Sequence, residues 1–247
     1  MTTQRPVWLN AGALLLIACC GLAGAGCAPA ADARATDAAG GRSSAQATGA
    51  PGRGAANAVT GRDPADSLTS RMDQARILGS PSARVWLVMV SDFQCPYCKQ
   101  FHDETFDALR REYVETGKVR MAFVNFPLPM HANAWPAAEA AMCVGLQGKF
   151  WPFQDALFAS QRTWADRHPA SPAIDSIAHT LGIDTAALDR CAASPEVKSL
   201  IQADQDRAER AGVNATPTII IGQTLIPGAQ PIATYRHALD STLAAGK

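Results

Sequence analysis

What this 247-residue chain lacks narrows its function before any motif is read. Lys and Arg number 22 against 22 Asp and Glu, so the formal charge is zero, and no basic block stands out to argue for a nucleic-acid partner. Beyond the N-terminal segment, no apolar run reaches the 18 or more residues that a membrane span needs. There is no second C-x-x-C and no H-x3-5-H, the spacings that would complete a zinc site, so no metal is expected. From Ala28 to Asp63 large apolar residues are almost missing; Ala, Gly, Ser, Thr and scattered Arg take their place. Such a composition cannot bury a core and reads as a disordered tether.

The first 27 residues read as a secretory signal: one early positive charge, Arg5, a mostly apolar run over residues 7–22, and then small residues. Two cysteines in it resemble the modified cysteine of bacterial lipoproteins, Cys19 after Leu16-Ile17-Ala18 and Cys27 after Gly24-Ala25-Gly26. Cys27 leaves the fuller apolar run. Ordinary cleavage after Ala30 is the alternative and would release a free soluble protein. Both routes place the product outside the cytoplasm, in the periplasm or cell envelope, with membrane contact only through an N-terminal lipid. The organisation is therefore a signal segment at 1–27, a tether at 28–70 and one folded domain at 71–247, long enough to build its own core.

Cys95 and Cys98, in Ser91-Asp92-Phe93-Gln94-Cys95-Pro96-Tyr97-Cys98, carry the chemistry. An apolar, β-rich stretch at 85–90 leads into them and a helical pattern leaves them, so both sulfurs belong at a strand-to-helix turn. The free N–H groups and dipole of a helix start favour an anion, here a Cys95 thiolate, and the thiolate is the nucleophile of disulfide exchange. Cys95 is expected to be exposed there, with Cys98 one turn later on the same face to close the ring. A purely structural bridge over two residues would close too short a loop to stabilise much.

The remaining pattern gives an α/β domain. A lead-in at 75–79 precedes the strand, and a helix is predicted over 96–116. Its buried face carries Phe101, Thr105, Leu109 and Tyr113; Asp103, Glu104, Asp107, Arg110 and Arg111 lie largely opposite. A second strand at 118–126 makes this a parallel βαβ unit with a right-handed crossover. Helical spacing follows at 134–146, 152–161, 172–181 and 185–211, with Ser194-Pro195-Glu196 starting the last long helix. An antiparallel hairpin at 218–221 and 224–226 turns on Gly222-Gln223, and an amphipathic helix runs over 232–244. Trp86, Trp135, Trp151 and Trp164 are read as packing residues.

Three blocks in this order resemble the DsbA-type thiol–disulfide oxidoreductases of the bacterial cell envelope. They are Asp92-Phe93-Gln94-Cys95-Pro96-Tyr97-Cys98, Ala137-Ala138-Glu139-Ala140-Ala141-Met142-Cys143 leading to Gly148-Lys149-Phe150-Trp151, and Gly212-Val213-Asn214-Ala215-Thr216-Pro217-Thr218. The resemblance implies a thioredoxin fold with a helical insertion, at about 131–211, between its βαβ and ββα halves. It implies that Cys95 attacks, that Cys98 resolves, and that a cis Thr216–Pro217 bond faces the dithiol in a loop able to pair with an extended client segment. From the residues alone, Pro217 equally suits a strand start, and the Thr216 hydroxyl either tunes the thiolate or packs the loop.

One departure stands out. Many relatives carry an acidic residue in the strand before the motif, where this chain has Met89, which cannot titrate. Either Asp92, Glu139 or water handles the proton, or the redox poise differs from that of the relatives. His102 and His131 qualify by type only; otherwise they read as a solvent-facing helix residue and a helix-start residue. Cys143 and Cys191 remain, and in an oxidising compartment they are expected to form a structural disulfide, as in some relatives; two separately buried thiols are the alternative.

The sequence thus points to an enzyme that exchanges a Cys95–Cys98 disulfide with cysteine-containing client proteins, needing no cofactor. A monomeric oxidase is favoured, because the chain has a tether where dimeric isomerases have an ordered N-terminal domain, and the resemblance implies a membrane quinone-linked oxidase as regenerating partner. A reductase or isomerase, and a non-catalytic thioredoxin-like binding module, are the alternatives; the intact dithiol counts against the last.

Overall fold

The computed structural model describes residues 67–246. The expected signal segment, Cys19, Cys27 and the tether up to residue 66 lie outside the described residues. Helix α1 (Leu68–Ala75) starts ahead of the boundary expected at residue 71, because Ser67 caps it by accepting from the Ser70 N–H at 3.1 Å.

Five strands form one sheet in the order β1-β3-β2-β4-β5. β2 (Val85–Ser91) and β3 (Val119–Asn125) run parallel, from Val85 opposite Val119 to Ser91 opposite Asn125. The hairpin β4 (Thr218–Ile221) and β5 (Thr224–Pro227) adds on the other side of β2, antiparallel. The lead-in contains a further short strand, β1 (Ile77–Leu78), antiparallel to β3. Period-two alternation sends Val119, Met121, Phe123 and Asn125 of β3 into the interior.

Between β2 and β3 the expected helix forms, with a change of pitch. α2 (Pro96–Phe101) passes through a π turn (His102–Phe106), α3 (Asp107–Leu109) and a second π turn (Arg110–Val114). A π turn bonds residues five apart. Phe106, five after Phe101, and Val114, five after Leu109, therefore join Phe101, Thr105, Leu109 and Tyr113 in the interior. They pack with Leu87, Met89, Ile219 and Ile221 of the sheet and Tyr235 and Leu239 of the C-terminal helix α10 (Ile232–Ala245).

The insertion holds six helices: α4 (Ala134–Gly145), α5 (Phe150–Ala159), α6 (Gln161–Trp164), α7 (Ser171–Thr180), α8 (Thr185–Ala192) and α9 (Pro195–Arg210). α4 is its axis. Its run of alanines lets neighbours approach closely on most sides, and a Cβ at Gly145 would meet the Ala75 Cβ at 3.0 Å. A disulfide joins Cys143 of α4 to Cys191 of α8.

One buried charge cluster ties the insertion back to the sheet. Arg76, just after α1, donates through Nη2 to Asp204 Oδ1 of α9 at 2.9 Å and through Nη1 to Asp204 Oδ2 and the Phe123 carbonyl. Asp204 also accepts from the Asn125 backbone and side-chain amides at 3.1 and 3.0 Å. Removing one partner of a buried ion pair strands the other, which costs about 3–5 kcal/mol. Arg76 also pairs with Asp73, so Asp204→Ala should lower unfolding stability by up to that amount in urea melts, and a loss under ~1 kcal/mol would contradict the cluster's role. Replacing Cys143 and Cys191 together by Ser should lower the melting temperature, the 48-residue separation giving up to about 4 kcal/mol in the chain-entropy view. Dithiol exchange by Cys95 should persist in that variant, measured by turnover of a thiol substrate.

Candidate active site

The β2–α2 turn places the two sulfurs. Cys95 is the N-cap of α2 in an extended conformation (φ −68°, ψ 125°), and Pro96 follows at a position where no N–H is needed. Cys98, in the first turn, receives the Asp92 N–H on its sulfur at 3.4 Å. From the opposite side comes the loop before β4, where the Thr216–Pro217 bond is cis. The Cys95 thiol donates to the Thr216 carbonyl oxygen at 3.5 Å. Thr216 Oγ1 is buried with no hydrogen-bond partner among the described residues, and its side chain adds to the lowering of Cys95.

These contacts split the two thiols. Cys95 is lowered to about 6, chiefly by the hydrogen bond from Cys98 and then by Thr216 and the Cys98 and Tyr97 backbone N–H groups, while partial burial pulls the other way. Cys98 is pushed well above the usual thiol range, first by burial and then by the bond to, and negative charge of, Cys95. One sulfur is an anion near neutral pH and its partner is a thiol that donates to it.

The expectation of an exposed Cys95 is corrected. Only 4% of Cys95 and 1% of Cys98 is accessible. The Thr216 loop and the insertion close over the helix start, and the exposed members of the motif are Pro96 and Tyr97, the latter at 62%. Polar side chains that the sequence reading passed over fasten the insertion there. Gln161 donates to the Phe93 and Cys95 carbonyls at 2.7 and 3.0 Å. Gln94 spans from the Ala165 carbonyl to the Asn133 N–H, both at 2.7 Å. Asn133 precedes α4 like a capping residue, yet its side chain goes to the Ala165 and Arg167 carbonyls instead.

Of the groups considered for proton handling, Asp92 joins the site and Glu139 does not. Glu139 lies on α4 in a cleft with Ser171, Asp175 and Asp189, where burial raises its carboxyl. Met89 is buried between Phe123 and Ile219 in the sheet register. Two histidine assignments change. His102 is not solvent-facing: its ring packs against Phe106 and Phe158 and bonds Asp155 at 2.9 Å, joining the α2 helix to α5. His131 is not a helix-start residue; it sits in the loop before α4 and bonds the buried Asp92 carboxylate at 2.7 Å. Among the described residues no group of three or more His, Cys, Asp or Glu could hold a metal.

A thiolate and thiol paired in this way accept or donate a disulfide by exchange. With reduced protein, alkylation of Cys95 should rise through about pH 6 and level off by neutrality, with Cys98 protected, as read by mass spectrometry of quenched samples. A half-maximal rate near the ordinary thiol value of about 8.5 would overturn the assignment.

Comparison with known proteins agrees with this geometry. A family model described as thioredoxin matches residues 71–241. A probable disulfide bond formation protein D of Bacillus anthracis is 28% identical over 170 residues, covering 67% of this chain and 77% of that protein. Among solved structures, a thioredoxin-like oxidoreductase from Silicibacter pomeroyi is 28% identical at a TM-score of 0.58, covering 69% of this chain and 92% of that one. The alpha-DsbA1 of Wolbachia pipientis shares the fold at a TM-score of 0.62 and 22% identity, over 69% of this chain and 91% of that one. A dithiol at a helix start, faced by a cis-proline loop and carried on this sheet with its helical insertion, makes the chain a member of the thioredoxin family and a DsbA-like thiol–disulfide oxidoreductase.

Proposed function

We propose that the chain works as an oxidase that transfers a Cys95–Cys98 disulfide to cysteine-containing client proteins outside the cytoplasm. The lowering of Cys95 to about 6 carries this reading. A stabilised thiolate stabilises the reduced enzyme, and that makes its disulfide a stronger oxidant. In the forward reaction a client thiolate attacks Cys95 Sγ, the Cys95–Cys98 bond breaks, and Cys98 leaves and takes up a proton. A second client thiolate then attacks the client sulfur of the mixed disulfide, and Cys95 departs as a thiolate. The client has lost two electrons and the enzyme has gained them. Thr216 and Pro217 line the client's approach, with the neighbouring Asn214 and Ala215 exposed. The relative's printed name, disulfide bond formation protein D, supports the same direction.

Acting as a monomer, held to the envelope by a lipid on Cys27 and recharged by a membrane quinone-linked oxidase, is the setting we favour. It rests on the N-terminal sequence and the resemblance. Cys98→Ala, charged with a reduced client after activation of Cys95 as a mixed disulfide, should accumulate covalent client complexes several-fold over the parent, seen as high-mass bands that vanish on reduction. Cys95→Ala should form none. In glutathione buffers the parent should settle toward its reduced form; an equilibrium lying far toward the disulfide would favour the reductase.

A further inference from the structure

Asp92 is a carboxylate almost out of water, with 2% of the residue accessible and none of its side chain. Oδ1 accepts the N–H groups of Gln94 and Cys95 at 2.7 and 3.2 Å; Oδ2 accepts the Leu128 N–H at 2.8 Å and faces His131 Nδ1 at 2.7 Å. The same residue's own N–H is the one aimed at Cys98 Sγ. Asp92 therefore holds the backbone that carries both sulfurs and brings a fixed negative charge beside them. His131, with 18% of its side chain accessible, is the member of the pair that reaches solvent.

We propose that Asp92 and His131 are a positioning pair for the dithiol: Asp92 fixes the loop, and the hydrogen bond from His131 decides how much of the Asp92 charge the sulfurs feel. The proposal rests on the thiol–disulfide reading above. With His131 Nδ1–H donating to Oδ2 the carboxylate is partly offset, so the Cys95 thiolate is opposed less and the reduced enzyme is favoured. Without that donor the Asp92 charge is less compensated and the reduced form loses that support. The surroundings of His131 leave it to Asp92. Beyond the carboxylate lie Cys95 and Cys98; α9 meets the loop through neutral Gln205, which bonds the Pro127 carbonyl; Asp204 is engaged by Arg76 and Arg207. On the segment after α6, Asp166, Arg167 and His168 are exposed, and Asp92 is the one ion-pair partner of His131 among the described residues.

The test is the glutathione equilibrium of the full chain near neutral pH, with His131→Ala as the variant that removes the donor to Asp92 and His131→Asn as the conservative variant whose amide can still donate. His131→Ala should lie several-fold further toward the disulfide than the parent, and His131→Asn should return toward the parent. In an Asp92→Asn background, His131→Ala should make no further difference, and if that background does not fold, the two His131 variants decide alone. A His131→Ala equilibrium that matches the parent, or a shift that His131→Asn shows to the same extent, overturns the proposal. A parent that does not exchange with glutathione at all would instead sink the oxidoreductase reading on which it stands.

Discussion

A charge buried where water cannot reach it must be met by donors, and Asp92 is met by four. Three of them are backbone N–H groups, two in the redox loop and one in the loop after β3. That arrangement ties both loops to a single residue. It keeps Gln94 and Cys95 in a tight turn, sets where α2 begins, and so sets which sulfur lies at the helix start. An unpaired carboxylate in this position would cost several kcal/mol, so the loops hold their conformation as long as these donors stay in place.

The insertion has two anchorages with different consequences. Its far end is held to the sheet by the Arg76–Asp204 cluster, which concerns stability. Its near end is held to the redox loop by Gln94, Asn133 and Gln161, which bond main-chain carbonyls and amides rather than one another. Amide side chains in such places specify shape without adding charge, so the field at the dithiol stays under the control of Asp92, His131 and the two sulfurs. Lys99 adds to the same seam, donating to the Phe158 carbonyl at 2.9 Å while paired to Asp103.

Much of this was legible in the sequence because it was local. The β2 run, the C-P-Y-C turn, the hairpin on Gly222-Gln223 and the helix starts at Pro195 and Ile232 follow from short-range signals. The depth of the site was not. Accessibility of Cys95 depends on Gln161 and Thr216, which are 66 and 121 residues away in sequence, and no pattern around Cys95 announces them. His131 and Asp92 were each noticed by type, yet their pairing is made across 39 residues by a loop with no secondary structure. β1 and the start of α1 were passed over because two residues make too short a strand, and one Ser too weak a signal, to stand against a polar flank.

The two π turns in the helix after the motif bear on how such a chain tolerates changes in length. Each wide turn accommodates one residue more than an α turn needs, and each sits downstream of Pro96–Phe101. A one-residue deletion within His102–Phe106 or Arg110–Val114 is absorbed by tightening that turn alone. Cys95 and Cys98 keep their places and the far end of the helix keeps its face toward the sheet, so the segment is a site where a deletion can enter this fold without reaching its chemistry.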